Sequence, residues 1–327
     1  MYTCALRRYS FYMISGMSKT TTKWLIGICA VSIVLTYSCK THYKVVEHPF
    51  TVVRTHATIE NGKNLVYSSC GGCHYNRSDK KFIGNRLHEL PRALGKLYSA
   101  NLTNSEVYGI TKHYTDAQLA YLIKTGIKKD GKFVPYMVRP NMADGDVNDI
   151  IAYLRSGDAA VAAGDTSVGK THLNFLGKMA VNSKKPQPYK EKISRPTGSI
   201  ANGRYLVDNI GCFHCHSKGI TSLNYLYPEK SKGYMQGGAK FKTPQGRKLY
   251  ASNLTPCESS GMGNYTSAGF RKAVKEGITP DRRKLSPPMD KYRELSDKDV
   301  DDIYAYLKTL PKTYHVVKGH KRGEIKP

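Results

Sequence analysis

The sequence predicts an all-α fold built from two tandem copies of one domain. Three observations lead to this prediction. Apolar residues recur at helical spacing, the chain repeats itself after about 150 residues, and no run of alternating apolar and polar residues is long enough for a core sheet. The length of 327 residues is typical of about two domains.

The internal repeat consists of short segments that return in the same order. The longest reads KLYSANLT at residues 96–103 and KLYASNLT at residues 248–255. Other matched segments are Gly126-Ile127 with Gly277-Ile278, Pro135-Tyr136-Met137 with Pro287-Pro288-Met289, and Ala152-Tyr153-Leu154 with Ala305-Tyr306-Leu307. Their separation of 151 to 153 residues predicts two copies of one fold, with about ten additional residues between His216 and Lys248.

Capping residues and apolar stripes predict helices at matching places in the two copies. Thr115 and Gly126 mark the ends of a helix over residues 116–125, and Ser296 with Asp299 marks a later helix start. In the last helix of each copy the apolar stripe consists of four residues: Val147, Ile150, Ile151 and Leu154 in the first copy, and Val300, Ile303, Tyr304 and Leu307 in the second. We also expect a short helix before each cysteine motif described next, and one around residues 172–180.

Two pentapeptides carry the chemistry. They read Cys70-Gly71-Gly72-Cys73-His74 and Cys212-Phe213-His214-Cys215-His216. Cys-x-x-Cys-His is the attachment signature of c-type haem: two thiols on one helical turn reach the two vinyl groups of one porphyrin, and the histidine binds the iron. A single match could also indicate a zinc or redox site, but two matches within a repeat predict two covalently bound haem c groups.

The second axial ligand of each iron is predicted to be a methionine. Met137 and Met289 each follow a proline and precede the last helix of their copy by a similar interval. A lone methionine is usually core filler, whereas a matched pair favours ligation. Met142 is the rival in the first copy, but its position matches Leu295, which indicates a hydrophobic role.

The N-terminus resembles an export signal. Lys19 and Lys23 precede the apolar run 24–35, which is short for a membrane span of about 20 residues. We interpret residues 1–38 as a signal peptide, Cys39 as a lipid-bearing first residue, and residues 39–56 as a membrane tether; an uncleaved anchor or ordinary secretion are the alternatives. The chain would then work on the periplasmic side of a bacterial membrane, where covalent haem attachment takes place.

The charge is strongly basic, with 51 Lys+Arg against 25 Asp+Glu. No helix-turn-helix, zinc finger or basic-aromatic module accompanies it, so we do not expect nucleic acid as a partner. The basic surface instead suggests acidic redox partner proteins or lipid headgroups.

Taken with these motifs, each half resembles a class I cytochrome c domain, over residues 57–156 and 198–312, with a linker at 157–197 and a basic tail at 313–327. The resemblance implies that a glycine on the first helix crosses closely over an aromatic residue on the last, which matches Gly62 with Tyr153 and Gly203 with Tyr306. The chain is similar to the multihaem cytochrome c subunits of membrane-bound alcohol, aldehyde and gluconate dehydrogenases. Those subunits usually have three haem domains, and this chain has two.

The leading interpretation is a dihaem electron carrier between a membrane-associated or periplasmic dehydrogenase and a respiratory acceptor, rather than an enzyme. Both irons would have histidine and methionine ligands, so no substrate would bind the metal. A dihaem peroxidase is the first alternative, because its length and the separation of its motifs are comparable. It would need one haem with an open or openable ligand site, whereas both halves here carry the same methionine loop. A dihaem thiosulfate dehydrogenase is the second, and Cys257 is the feature that supports it. A haem sensor has no support beyond the cofactor.

Overall fold

The computed structural model describes Trp24 and residues 42–88, 92–219, 222–242 and 246–318. The described residues from 42 onward belong to one compact unit. The predicted signal peptide 1–38, the lipidation site Cys39 and the end of the basic tail lie outside the described residues, apart from Trp24. Within the described ranges, no helix is long and apolar enough to cross a membrane.

Helices dominate the architecture. The α-helices of the described residues are α1 (His56–Leu65), α2 (Gly71–His74), α3 (Ile110–His113), α4 (Asp116–Thr125), α5 (Asp144–Leu154), α6 (Phe175–Asn182), α7 (Ser199–Ile210), α8 (Cys212–His216), α9 (Ser267–Glu276) and α10 (Asp297–Lys308). A π-helical turn (Val66–Cys70) joins α1 to α2, and 3-10 turns cover Arg92–Leu94, Pro135–Met137 and Pro228–Lys230. The mostly helical prediction is confirmed.

Two short antiparallel pairs are an addition to that prediction. The strands β1 (Gly95–Lys96) and β2 (His172–Leu173) pair with each other, as do β3 (Lys240–Lys242) and β4 (Lys248–Tyr250). Each strand has only two or three residues, which is too short for an alternation of apolar and polar residues to predict it from the sequence. These pairs hold loops together at the surface and form no core sheet.

Helix ends follow the capping residues that the sequence offers. Thr115 caps α4 because its hydroxyl oxygen accepts a hydrogen bond from the Gln118 backbone N–H, and the Thr115 backbone N–H donates in turn to Gln118 Oε1. Gly126 ends the helix in the left-handed region at φ 74°. Ser296 caps α10 by accepting from the Asp299 backbone. The bounds of α4 are those predicted, because local capping alone determines them.

The first and last helices of each half cross at a glycine. A Cβ atom on Gly62 would lie 1.8 Å from the carbonyl oxygen of Asp149 and 2.9 Å from Cβ of Tyr153. On Gly203 it would lie 1.9 Å from the Asp302 carbonyl oxygen and 2.9 Å from Cβ of Tyr306. Helices α1 and α5, and likewise α7 and α10, therefore touch backbone to backbone, as the resemblance implied.

Two hydrophobic clusters lie beneath these crossings. In the first, the α5 stripe is buried together with Leu65, Val66 and Phe82. In the second, Val300, Ile303 and Leu307 pack with Leu206, Phe213 and Met235. Each half therefore has its own buried core, although the division of the chain into domains at residues 156 and 198 stays a prediction.

The segments that the sequence left irregular are packed onto the helices. Phe50 and Val52, from the predicted tether, contact the first cluster, and His48 stacks on Tyr189 at a ring distance of 4.2 Å. In the predicted linker, Val161 is fully buried. Such contacts join residues far apart in the chain, which is why no local pattern predicts them.

Candidate haem sites

Each Cys-x-x-Cys-His segment follows the first long helix of its half. In the first half the chain passes from α1 through a π-helical turn into α2, which ends at His74. In the second half Gly211, in the left-handed region at φ 88°, separates α7 from α8, which ends at His216. In both halves the two cysteines and the histidine lie on one short helical stretch, as haem attachment requires.

Both histidine rings are held by a backbone carbonyl. His74 Nδ1 lies 2.8 Å from the oxygen of Ala100, and His216 Nδ1 lies 2.8 Å from the oxygen of Ser252. Ala100 and Ser252 immediately precede the repeated Asn-Leu-Thr. A hydrogen bond from Nδ1 to a carbonyl fixes the tautomer in which Nε2 is the metal-binding nitrogen.

The repeated Asn-Leu-Thr forms the turn that supplies those carbonyls. Asn101 Oδ1 accepts from the Thr103 backbone at 2.8 Å and from the Thr103 hydroxyl at 2.7 Å. Asn253 Oδ1 accepts from Thr255 in the same way, at 2.9 and 2.8 Å. The repeat was visible in the sequence, but its task of orienting the histidines was not.

Two glycines at matching places in the two halves were not evident as functional residues from the sequence. Gly84 N donates to the His74 carbonyl at 2.9 Å, and Gly237 N donates to the His216 carbonyl at 2.8 Å. Both glycines have positive φ, 88° and 72°, and a Cβ atom there would lie within 2.5 Å of a carbonyl oxygen. A left-handed residue in so tight a turn has to be glycine. The additional residues of the second copy hide this match, because they lie between His216 and Gly237.

The two methionine loops have the same backbone hydrogen bonds. Met137 N donates to Val134 O at 3.0 Å, and Met289 N donates to Ser286 O at 3.1 Å. Both loops are tied to the glycine that ends the preceding helix, through Val134 N to Gly126 O and Leu285 N to Gly277 O, each 2.8 Å. Met137 and Met289 are both half-buried.

The other methionines in these halves are core residues. Met142 is 1% exposed and its matched residue Leu295 is 3% exposed, while Met235 and Met262 are 0% and 2% exposed. Complete burial in an apolar cluster accounts for them without a ligand role.

The surroundings of the cysteines fit a covalently held group. Burial raises the pKa of the Cys70 thiol to about 11 and that of Cys212 to about 12, so both thiols stay protonated at neutral pH. Among the described residues, four buried side-chain polar atoms lack a hydrogen-bond partner, and three of them lie within or directly beside the motifs: Ser69 Oγ, His214 Nε2 and Ser217 Oγ. Unsatisfied polar atoms are rare in native cores, so their position indicates that a further group belongs there.

A zinc site has no comparable support. No group of three or more His, Cys, Asp or Glu side chains able to hold a metal ion occurs in the part of the chain that the structure describes. Structural zinc needs four such ligands around one point.

Cys257 has an environment of its own. Its sulfur lies 3.4 Å from Ser259 Oγ and 3.3 Å from Ser260 Oγ, and these hydrogen bonds lower the pKa of the thiol to about 7. The residue is 9% exposed. These contacts explain a more acidic thiol but show no ligand for it.

Comparison with known proteins bears directly on the first half. Residues 59–158 match the sequence profile of the cytochrome c family. This part of the chain is therefore similar to a cytochrome c domain. Such a domain binds haem covalently and transfers electrons, and the histidine, thiols and methionine loop described above fit that cofactor.

The curated relatives support the same resemblance. The cytochrome subunit of fructose dehydrogenase from Gluconobacter japonicus is 32% identical over 146 residues, which cover 44% of this chain and 27% of the relative. A nicotinate dehydrogenase component from Pseudomonas putida is 41% identical over 110 residues, covering 33% of this chain and 8% of the relative. A diheme cytochrome c-type protein from Cereibacter sphaeroides is 28% identical over 117 residues, covering 35% of this chain and 37% of the relative. The chain thus matches between 8% and 37% of the length of these relatives.

Proposed function

We propose that the chain is a dihaem c-type cytochrome that carries electrons between a membrane-associated or periplasmic dehydrogenase and a respiratory acceptor. One haem would be held by Cys70 and Cys73, with His74 and Met137 as iron ligands. The second would be held by Cys212 and Cys215, with His216 and Met289 as ligands. The observation that carries the proposal is the duplicated set of contacts around the histidines and the methionine loops.

Each haem, when bound, supplies one-electron chemistry between iron(III) and iron(II). The chain's own residues would control that chemistry. The carbonyls of Ala100 and Ser252 would hold the imidazole rings in place, and the thioethers of Met137 and Met289 would favour the reduced state. With His74 and Met137 holding one iron and His216 and Met289 the other, neither haem would offer a site for a substrate.

The names of the relatives bear on the choice of partner. Two of them are subunits of dehydrogenases. We therefore propose a dehydrogenase as electron donor, an acidic docking surface on the redox partner, and attachment to the membrane through a lipid on Cys39.

The two enzyme alternatives differ from this proposal at the sixth ligand. A peroxidase would need one haem that opens, and a thiosulfate dehydrogenase would need a sulfur-based ligand or nucleophile such as Cys257. The matched methionine loops favour the carrier.

Counting covalent haems tests the proposal. We expect the mass of the mature protein to include two haem groups, and the pair Cys70→Ser/Cys73→Ser, like the pair Cys212→Ser/Cys215→Ser, to remove one haem each. Cys257→Ser is the control and should keep both. A mature protein with one haem or none would overturn the dihaem assignment.

A further inference from the structure

Each methionine loop contacts the attachment segment of the other half. In the first loop, Arg139 Nε donates to the carbonyl of Asn209, at 2.7 Å, just before the second cysteine pair. In the second loop, the Asp290 carboxylate pairs with Arg77 and lies 2.8 Å from the position of a Cβ atom on Gly72, inside the first pair. These reciprocal contacts bring the two attachment segments close to one another.

Arg139 is the charged group at the centre of these reciprocal contacts. Besides Asn209, its guanidinium donates to the carbonyls of Val138 and Tyr136, at 3.0 and 3.3 Å. Among the described carboxylates, none lies within the 4.0 Å of an ion pair with Arg139. Carbonyl oxygens satisfy its hydrogens but leave its positive charge uncompensated.

The charge of Arg139 acts on both halves. Arg139 lies two residues after Met137, the proposed ligand of the first haem, and it donates to the carbonyl of Asn209, three residues before Cys212. The guanidinium and the His214 ring also both lie over Gly211, 3.3 and 2.8 Å from the position that a Cβ atom would take. A charge beside the methionine loop of the first half and the attachment segment of the second half would lie close to both proposed haem sites.

We propose that Arg139 is a positioning residue shared by the two haems, which joins the two attachment segments and raises the reduction potential of both haems through one uncompensated charge. A nearby positive charge disfavours iron(III) relative to iron(II), and the low-polarity surroundings strengthen its effect. The two irons are thus tuned together, as suits electron exchange between them. This inference rests on the proposed dihaem function.

Redox titration of the two-haem protein, followed by its visible spectrum, tests the inference. In Arg139→Gln we expect both haems to become easier to oxidise. At a fixed potential the ratio of oxidised to reduced form should rise about tenfold for each, or about 59 mV for a one-electron couple. Arg139→Lys keeps the charge and should restore both potentials, and Arg293→Gln, at an exposed arginine, should leave both unchanged. A shift in one haem only, in neither, or of equal size in the lysine variant would overturn the inference.

A second variant decides the matter if Arg139→Gln does not assemble. His214→Glu sets a carboxylate beside Arg139 without removing any proposed ligand, and should lower both potentials, while His214→Gln should not. Unchanged potentials in His214→Glu would overturn the shared role of Arg139. A wild-type protein with a single haem would instead contradict the proposed function, so the two failures are distinguishable.

Discussion

At the scale of single residues, the Nδ1 hydrogen bonds of His74 and His216 connect the repeat to the chemistry. The pentapeptides themselves were evident from the sequence, because the spacing of two thiols and an imidazole is local. The acceptors, Ala100 and Ser252, lie 26 and 36 residues further along the chain. Since any residue has a carbonyl, no side-chain pattern could identify these two in advance.

The methionine assignment gives the first prediction. Met137→Ala and Met289→Ala should each remove the thioether from one iron and lower the reduction potential of that haem, because the soft sulfur ligand favours iron(II). The weak near-infrared band from methionine sulfur to iron(III) should fall by half in each variant. Met142→Leu is the matched control, since Leu295 occupies that position in the second half, and it should keep the full band. Unchanged spectra in both alanine variants would show that other ligands are used.

Asp208 gives a prediction on pH. Burial raises the pKa of its carboxyl from 3.8 to about 7, although Tyr234 donates a hydrogen bond to it at 3.1 Å. The folded protein therefore binds this proton more tightly than the unfolded chain does. The resulting stability is complete below about pH 4 and is lost as the pH rises through about 7.

Denaturant unfolding at pH 5 and pH 8 measures this contribution. Asp208→Asn keeps an acceptor for Tyr234 and removes the charge, so the variant should be more stable than the wild type at pH 8 by a few kcal/mol, on the order that such a shift allows. Asp79→Asn, at an exposed carboxylate, serves as control. Equal pH dependence in the wild type and Asp208→Asn would contradict the raised pKa of Asp208.

At the scale of elements, the long helices could be predicted and the irregular segments could not. The cap of α4 and the stripe of α5 depend on residues within a few positions of each other, and both are found as expected. The folding of the predicted tether and linker onto the helices depends on contacts such as His48 with Tyr189, across more than a hundred residues. The composition of the tether and the linker predicted that they lack regular secondary structure. It did not predict that they pack against the helices.

The helix crossings provide a prediction about stability. Gly62→Ala and Gly203→Ala should each destabilise the fold by roughly 3 kcal/mol or more, because the added methyl group would lie within 2 Å of a backbone carbonyl. Gly145→Ala is the matched control on α5, where a Cβ atom meets nothing within 4 Å, and it should be neutral or stabilise by up to about 1 kcal/mol. Thermal unfolding of the three variants measures the difference. If Gly62→Ala and Gly145→Ala behaved alike, the close crossing would be wrong.

At the scale of the whole molecule, the excess of basic residues bears on docking. The formal net charge of the sequence is +26, and two haems would reduce it only by their propionates. A long-range attraction of this kind speeds association with an acidic partner and is screened by salt, with a Debye length of about 10 Å at 0.1 M. Net charge predicts only that the redox partner is acidic. The sequence therefore predicts the chemistry of the haems in more detail than the identity of their electron donor.

We therefore expect electron transfer to the physiological partner to slow as ionic strength rises, with the second-order rate falling by tenfold or more between 0.01 and 0.5 M salt, on the order typical of steered association. Stopped-flow reduction of the haems measures this rate. Reduction by a small uncharged reagent is the control and should depend little on salt. A partner reaction that is independent of salt would reject electrostatic docking.

The visible and near-infrared spectrum of the oxidised, haem-loaded protein, quantified per haem, tests the central claim most directly. We expect two covalent haems in each chain, both low-spin, with a near-infrared intensity that corresponds to two methionine-ligated iron(III) centres. One such centre or none, together with high-spin or bis-histidine signals, would contradict a closed carrier and would make a dihaem enzyme the better explanation.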